Sequence, residues 1–377
     1  MKKFLLIFIL IMSFFVIDLY SENKDIKNPA KFDNYKLLNN KDIVLRQGIK
    51  ERRYSKSKME KAVEIDFSKQ EEKNMVYFPI KLLSDNEGAI YIIDFLRSRY
   101  IFHKLVSISK AYNRFDHIVF SPPRGQGPGD ISRIIDIKIH KDKLYVSDEG
   151  TQSIKVFDLS GNYLKTKVVF TNGKKYFGKF SFINGKLIIE DYYHFKEGEK
   201  FVLCDLEGKL IKAFGSHIDI KNKDNSIYHN NYLSQGFGEN EYYYLPIYLG
   251  FVSKYKKDKV IFTKETIDGL QNVIAIKKRL KIGWTLRKVL KKKKTVKNYF
   301  IFRNYILIES YSYENKQSFW DIYTLNNFDY LLTISEKPDS TAFSIYKNHL
   351  ISAYKSRLVI YDITNLINEL QKYAEKL

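Results

Sequence analysis

A single cysteine, Cys204, stands in the 377 residues of the chain. That scarcity excludes a disulfide framework, an iron–sulfur cluster and a cysteine-based zinc site. Alanine is rare, and there are only 7 prolines and 2 tryptophans. Beyond the first segment, no apolar run reaches the roughly 20 residues that a membrane-spanning helix needs. Long helical patterns between strand candidates are missing too, which argues against a parallel α/β sheet. The seven histidines, His103, His117, His140, His194, His217, His229 and His349, form no His-Glu-x-x-His or other close ligand spacing. No Gly-x-Ser-x-Gly elbow occurs, and Cys204 has no activating neighbour. No cofactor, resident metal or catalytic residue is therefore expected.

What the chain does have is aromatic and basic. Aromatic residues make up 15% of it, with 29 Tyr and 27 Phe, and lean towards strands. Apolar residues at 44% are enough for a sizeable core. Lys and Arg total 64 against 43 acidic residues, a formal charge of +21.

The first residues have the form of an export signal. Lys2 and Lys3 precede an apolar run from Phe4 to Ile17, and Leu19-Tyr20-Ser21 offers a cleavage tripeptide before Glu22. The run is too short to span a bilayer. Residues 1–21 are accordingly expected to be removed, which takes the charge from +21 to +20 through loss of Lys2, Lys3 and Asp18. The mature protein is expected in the periplasm or at the cell surface. Residues 22–74 are polar and lysine-rich and read as a leader able to add one edge strand.

From Met75 onward, short apolar runs recur between turns. Ala89 to Asp94 (AIYIID), Leu144 to Asp148 (LYVSD) and Leu187 to Asp191 (LIIED) are one kind of strand, continued by Leu307 to Ser310 and Leu350 to Ala353. Each follows a turn-type pair: Glu87-Gly88, Lys141-Asp142, Asn184-Gly185, Arg303-Asn304 or Lys347-Asn348. Each precedes a second kind of strand. Val156 to Leu164 (VFDLSGNYL) and Leu203 to Ile211 (LCDLEGKLI) share Asp-Leu-x-Gly between strands, with Gly161 and Gly208 as turn residues. Repeats of roughly 40–50 residues, four strands each, are what propeller blades require. One blade cannot bury both of its faces, so neighbours stack around an axis.

Within this pattern, Gly125-Gln126-Gly127-Pro128-Gly129-Asp130-Ile131 leads into Leu144–Asp148 and then Ile154 to Gly161 (IKVFDLSG). The succession resembles the bacterial six-bladed β-propellers related to the NHL repeat. Those proteins show a Gly-x-Gly-Pro-Gly-acidic-aromatic turn, a YVxD strand and an IxVFDxxG strand in that order. Ile131 replaces the aromatic residue. The likeness is good over about 120–165, fair over 83–105 and 181–215, and faint beyond 240. It implies a six-bladed ring in an exported protein and brings no catalytic residues.

Blade centres fall near Tyr91, Tyr145, Ile188, Tyr243, Leu307 and Ile351. The expected fold is thus all-β, a six-bladed propeller of four-stranded antiparallel blades over 75–377. The interval 216–300 leaves room for a seventh blade or an insertion. A strand from before residue 82 is expected to close the ring. Asn365 to Leu377 reads as a short C-terminal helix over the ring edge, with Leu366, Leu370, Tyr373 and Leu377 on one face and Thr364 placed to cap it.

The Gly125, Gly127, Pro128 and Gly129 loop lacks the Lys-Ser/Thr ending of a phosphate cradle and is expected to be a turn between blades. Asp94, Asp148 and Asp191 end equivalent strands. Each is expected to hold its turn through backbone N–H groups, with a shared rim as the alternative. The strongest anomaly is a basic insertion near 270–298. It carries Lys277, Lys278, Arg279, Lys281, Arg287, Lys288, Lys291, Lys292, Lys293, Lys294 and Lys297 around Trp284, with no acidic residue. Such a segment suits an anionic surface. Lys254, Lys256, Lys257 and Lys259 are expected to extend its face. The expected function is that of an exported, non-catalytic binding or scaffolding module. Its partner would be a protein or an anionic envelope component, with peripheral contact to anionic membrane, and not nucleic acid. The alternative is a propeller-type lyase or hydrolase with a metal on the ring axis.

Overall fold

A computed structural model describes residues 35–37, 44–45, 47, 51–69, 75–96, 98–106, 116–167, 169–171, 174–176, 178–190, 199–216, 218–220, 232–237, 241–247, 250–256, 259–268, 274–279, 285–291, 294–312, 317–335 and 341–376. Six antiparallel blades form a propeller ring. From the axis outward, blade 1 contains Pro79–Ser84, Ile90–Leu96, Arg99–Val106 and Asp116–Phe120. Blade 2 contains Ile134–His140, Lys143–Asp148, Ser153–Asp158 and Tyr163–Lys167. Phe180–Ile183, Lys186–Glu190, Glu199–Cys204 and Leu210–Ser216 make blade 3. Blade 4 is Tyr232–Phe237, Glu241–Pro246, Phe251–Lys256 and Lys259–Glu265. Blade 5 is Lys294–Phe302, Tyr305–Ser312, Gln317–Thr324 and Tyr330–Ile334. Ala342–Tyr346, His349–Tyr354 and Arg357–Asp362 form blade 6, with Glu60–Asp66 as its outermost strand. All six expected blade centres lie in second strands. The interval 216–300 holds blade 4 and an added hairpin, Ile274–Arg279 with Thr285–Lys291.

The expected turn pairs account for the first-to-second strand hairpins. Lys141 and Asp142 hold φ of +46° and +54°, and Asn184 and Gly185 hold +47° and +66°. Positive φ at both central residues gives two-residue turns the twist that antiparallel strands need. In the Asp-Leu-x-Gly turns, Asp158 accepts the amides of Ser160 and Asn162, and Asp205 those of Glu207 and Lys209. Gly161 and Gly208, at φ +91° and +90°, complete these turns beside a bulge in each ladder.

The core lies between blades. Ile93, Phe102, Ile137, Val146 and Phe157 fill the first interface, and Tyr145, Val156, Phe180, Leu187 and Cys204 the second. Burial raises the Cys204 thiol pKa to about 12, so it behaves as a small apolar side chain. Between blades 3 and 4 the filling is aromatic: the Phe201 ring lies 5.0 Å from Tyr242 and 5.4 Å from Tyr255. Edge-to-face rings of this kind explain where the aromatic content goes.

The stretch read as a polar leader wraps the outer edges of three blades. Val44–Leu45 runs parallel to the last strand of blade 4. Gln47 donates to the carbonyls of Glu265 and Phe328 at 2.8 and 2.7 Å, joining blades 4 and 5. Ser55 and Thr333 tie the next residues to blade 5, the Ser55 amide reaching the Thr333 carbonyl at 2.8 Å. Glu60–Asp66 then completes blade 6 against Arg357–Asp362. The strap covers backbone edges that would otherwise invite foreign strands.

A helix, Thr364–Ala374 (α1), buries Leu366, Ile367 and Leu370 against Trp320, Leu332 and Ile334 of blade 5. The expectation that Thr364 caps it is corrected. Thr364 is the first helical residue, and its N–H donates to Asp362 Oδ1 at 2.7 Å. The carboxylate two residues earlier reaches the orphan amide, while the Thr364 hydroxyl accepts from Asn348 Nδ2 at 3.2 Å.

One buried charge cluster locks the strap down. Arg52 donates Nε to Asp321 Oδ1 at 3.0 Å and Nη2 to Oδ2 at 2.9 Å, and lies 2.7 Å from Asp268 Oδ1. Its guanidinium also stands 5.0 Å from the Phe319 ring centroid. Burial opposes the charge, but the two carboxylates hold the Arg52 pKa above its ordinary value. Removing one partner of a buried pair strands the other charge and costs about 3–5 kcal/mol. Arg52→Met is therefore expected to lower the unfolding free energy by that amount in denaturant titrations. Stability equal to wild type would show that the strap does not depend on this contact.

Candidate functional site

The innermost strands of blades 1, 2, 5 and 6 line a cavity of about 530 Å³ at the ring axis. Four polar residues occupy one rung of it. Lys81 pairs with Ile93, Asp136 with Ser147 and Asn298 with Glu309, each directly after a register shift in the first ladder of its blade. Lys179 holds the corresponding place in blade 3, where its carbonyl accepts the Glu190 amide at 2.9 Å. A bulge re-aims the side chain that follows it, and here it does so in three blades at one level. Lys138, two residues beyond Asp136, shares its face of the strand and also lines the cavity.

Asp136 is the carboxylate of this belt, and it is fully engaged. Lys81 Nζ donates to Oδ1 at 2.5 Å, as does the Ile137 amide at 2.9 Å. The Phe180 amide reaches Oδ2 at 3.3 Å, and Lys138 Nζ lies 3.8 Å from the same oxygen. Burial alone would raise the Asp136 pKa. The charges of Lys138 and Lys81 outweigh it and bring the value to about 2. Burial lowers the pKa of Lys138 against the pull of Asp136. It does the same to Lys179 against Glu190 and Asp136. Three ammonium groups thus share the lining with one carboxylate.

Asp94 and Asp148, at the ends of equivalent second strands, act as structural grips. Asp94 accepts the amides of Tyr77 and Phe78 at 2.9 and 2.5 Å, and Asp148 those of Ser132 and Arg133 at 3.1 and 2.8 Å. Each carboxylate fixes the chain as it enters the first strand of its own blade. Asp191 lies outside the described residues. Lys155, buried in blade 2, sits 3.4 Å from Asp148 Oδ2 and donates to the carbonyls of Gly127 and Asp130. Asp130 in turn accepts the Gly127 amide at 3.1 Å. The Gly125–Gly129 loop, with Pro128 in it, folds around the Asp130 carboxylate, and Gly129 holds φ +80°. It joins blade 1 to blade 2.

The basic segment stands between blades 4 and 5. Its backbone forms a hairpin in which Lys277 pairs with Arg287, Ile276 with Lys288, Lys278 with Leu286 and Ile274 with Lys291. Arg279 pairs with Thr285. Lys294 and Lys297 belong to the first strand of blade 5. Lys281, Trp284, Lys292 and Lys293 lie outside the described residues. Connections from a fourth strand to the next first strand all emerge on one face of such a ring. The hairpin, the Gly125–Gly129 loop and the entry to Lys179 share that face. Lys254, Lys256 and Lys259 do not extend it. Lys254 is buried 2.9 Å from Glu241, and Lys256 and Lys259 flank a third-to-fourth strand turn on the opposite face.

Among the described residues, no three His, Cys, Asp or Glu side chains gather within reach of one metal ion. The belt itself does not fit a cation, since its carboxylate is spent on two lysines and two amides. Sequence reasoning missed Lys81, Asp136, Lys138, Lys179 and Arg52. For Lys81, Asp136 and Lys138 the available signal was a charge inside an otherwise apolar first strand.

The depressed Asp136 pKa has a consequence for acid stability. A carboxylate at about 2 in the fold and 3.8 ordinarily adds stability above pH 3.8 that is lost as pH falls towards 2. The shift corresponds to about 2 kcal/mol. Asp136→Asn is expected to remove this amount at neutral pH and to flatten the pH dependence between those values, read from chemical denaturation at several pH values. An unchanged slope would show that Asp136 is not the group responsible.

No protein-family profile matches the sequence, and no curated protein does. Solved structures match in fold. A Bacteroides fragilis protein expected to be exported superposes with a TM-score of 0.52 over 85% of this chain and 98% of its own, at 8% identity. A member of the DUF4221 family from Bacteroides vulgatus gives 0.46 over 81% and 97%, at 9% identity. BamB from Moraxella catarrhalis gives 0.37 over 82% and 98%, at 10%. At such identities the likeness is one of fold alone.

Proposed function

We propose that this chain is an exported, non-catalytic propeller, related to the NHL-repeat proteins, that binds a protein or anionic envelope component on the face where its blades are joined. The observation that carries the reading is the hairpin of Ile274–Arg279 and Thr285–Lys291, a paired ribbon built between two blades where a short joint would suffice. Its two strands carry Lys277, Lys278, Arg279, Arg287, Lys288 and Lys291. Near the same end of blade 1, Phe78, Ile80 and Phe95 stay 65%, 47% and 39% exposed, an apolar complement to the charge. Export rests on the Lys2-to-Ser21 pattern, which lies outside the described residues. The like-folded Bacteroides fragilis protein, itself named for expected export, supports it. The glycine-loop motif, folded around Asp130 between blades 1 and 2, supports the NHL relationship. A metal-dependent lyase or hydrolase has no observation in its favour.

Each Lys or Arg near an anionic bilayer contributes about 1 kcal/mol of attraction. The mature protein is expected to cosediment with phosphatidylglycerol vesicles and to leave phosphatidylcholine vesicles free. Replacing Lys277, Lys278, Arg287 and Lys288 together by Glu is expected to weaken that binding at least a hundredfold. Equal sedimentation of variant and wild type would reject the hairpin as the binding surface.

A further inference from the structure

Arginine is the minority cation of this chain, and its placement is uneven. Only 12 of the 64 basic residues are arginine, yet five of them, Arg97, Arg99, Arg114, Arg124 and Arg133, fall between residues 97 and 133, where just two lysines occur. Arg97 and Arg114 lie outside the described residues. The other three stand on the joining face of blades 1 and 2. Arg99 opens the third strand of blade 1, Arg124 lies on the connection between the two blades, and Arg133 directly precedes the first strand of blade 2. All three are exposed. Arginine offers what lysine cannot, a flat fork of donors that grips a carboxylate through two parallel bonds.

Beside them, Phe78 and Phe95 have fixed backbones and exposed rings. The Phe78 amide donates to Asp94 Oδ1 at 2.5 Å, and the Phe78 carbonyl accepts the Phe95 amide at 3.2 Å. Phe78 is nonetheless 65% exposed. The Phe95 ring lies 4.9 Å from that of Tyr100, whose hydroxyl accepts the Ile134 amide at 3.0 Å, so the apolar patch runs on to the residue after Arg133. Large rings tethered through their backbone and left open to water suit interface anchors, because little ordering entropy remains to be lost on binding. The described carboxylates at this end are spent. Asp94 and Asp148 grip amides of their own blades, Asp130 holds the Gly127 amide, and Glu149 lies 2.7 Å from Arg133 Nη1. Arg99 and Arg124 have no ion pair among the described residues. Arg133, propped by Glu149, keeps 73% of its side chain exposed.

We propose that the joining face of blades 1 and 2 docks an extended, acidic segment of a partner protein that carries large apolar side chains. Those side chains cover Phe78, Ile80 and Phe95, and the carboxylates of the segment are forked by Arg99, Arg124 and Arg133. Charge complementarity selects an acidic occupant, and the apolar patch beside the arginines selects against one that is acidic only. Two features favour protein over lipid. Arginine forks are used here in a chain that elsewhere uses lysine, and Glu149 beside Arg133 is a carboxylate that an anionic bilayer would repel. This docking site rests on the reading of the joining face given above, and it lies across the ring from the hairpin between blades 4 and 5.

Fluorescence anisotropy of the mature protein with three labelled peptides tests the assignment: Asp alternating with Phe, Lys alternating with Phe, and Asp alternating with Ser. Saturable binding is expected for the first alone. Phe78→Ser together with Phe95→Ser is expected to weaken it about tenfold or more, as loss of interface anchors does. Replacing Arg99, Arg124 and Arg133 together by Lys is expected to weaken it about fivefold, because lysine keeps the charge and loses the fork. Attraction to net charge alone would leave that variant unchanged. The fourfold hairpin variant is expected to bind the peptide as wild type does. All the substituted positions are exposed, and circular dichroism equal to wild type confirms that each variant is folded. The assignment is overturned if the Asp–Phe peptide does not bind at millimolar concentration, if either control peptide binds as well, or if the folded variants of blades 1 and 2 bind like wild type. Loss of peptide binding in the hairpin variant alone would overturn this site and leave the docking face in place. Absence of both peptide and vesicle binding would reject the docking face altogether. If the phenylalanine variant loses cosedimentation with phosphatidylglycerol vesicles but keeps the peptide, the patch is a lipid contact and the protein partner is rejected.

Discussion

The ladder between Glu60–Asp66 and Arg357–Asp362 is the constraint on which the ring depends. Five blade interfaces join sheets that follow one another along the chain. The sixth joins blade 6 to blade 1, and there Ile351, Leu358 and Ile360 pack on Leu82, Ile90 and Ile92. That packing exists only when residues some three hundred positions apart have met. The strand that closes blade 6 continues directly towards Pro79, the first residue of blade 1. One short segment therefore completes the last blade and fixes the first. Loop closure of this length has to be met before its contacts return anything, so closure is expected to be a late and slow step of folding.

The buried polar side chains repeat one structural solution with changed parts. His103 pairs with Ile92, Lys155 with Val146 and Asp321 with Ile308, the same position of the third strand in blades 1, 2 and 5. In blades 1 and 2 this position faces the acid that ends the second strand: His103 Nε2 lies 3.8 Å from Asp94, and Lys155 Nζ 3.4 Å from Asp148. Blade 5 has Ser310 where those acids stand, and the sign is reversed. The acid moves to the third strand as Asp321, and the cation arrives from the strap as Arg52. Blades 2 and 5 thus exchange which strand carries the acid while each buried charge keeps an opposite partner.

What could be seen in the sequence follows from which interactions are local. Second strands were legible because each is an unbroken apolar run buried on both faces, as in Ile90–Ile93, and because a turn pair fixed by positive φ precedes it. The Asp-Leu-x-Gly turns were legible for the same reason, since Asp158 and Asp205 bond amides two and four residues on. The strap was not. Arg52 and Asp321 are 269 residues apart, and nothing near either residue announces the other. The axial belt was hidden likewise. Lys81 and Asp136 look like ordinary surface charges until a bulge in each first strand turns both to the axis.

The distribution of turn types decides where such a fold can change. First-to-second strand connections close in two to five residues, held by positive φ at Gly88, Lys141, Asn184, Arg303 and Lys347. An insertion there would break the hairpin twist on which the blade is built. Joints between blades carry no such demand, because they need only bring the chain from the rim back to the axis. They accommodate the loop around Asp130, the Val169–Thr171 and Lys174–Tyr176 hairpin, the Ile218–Ile220 strand and the basic hairpin. These joints also deliver the chain to Lys81, Asp136, Lys179 and Asn298. The face that accommodates insertions is therefore also the face from which the chain enters the polar belt at the axis.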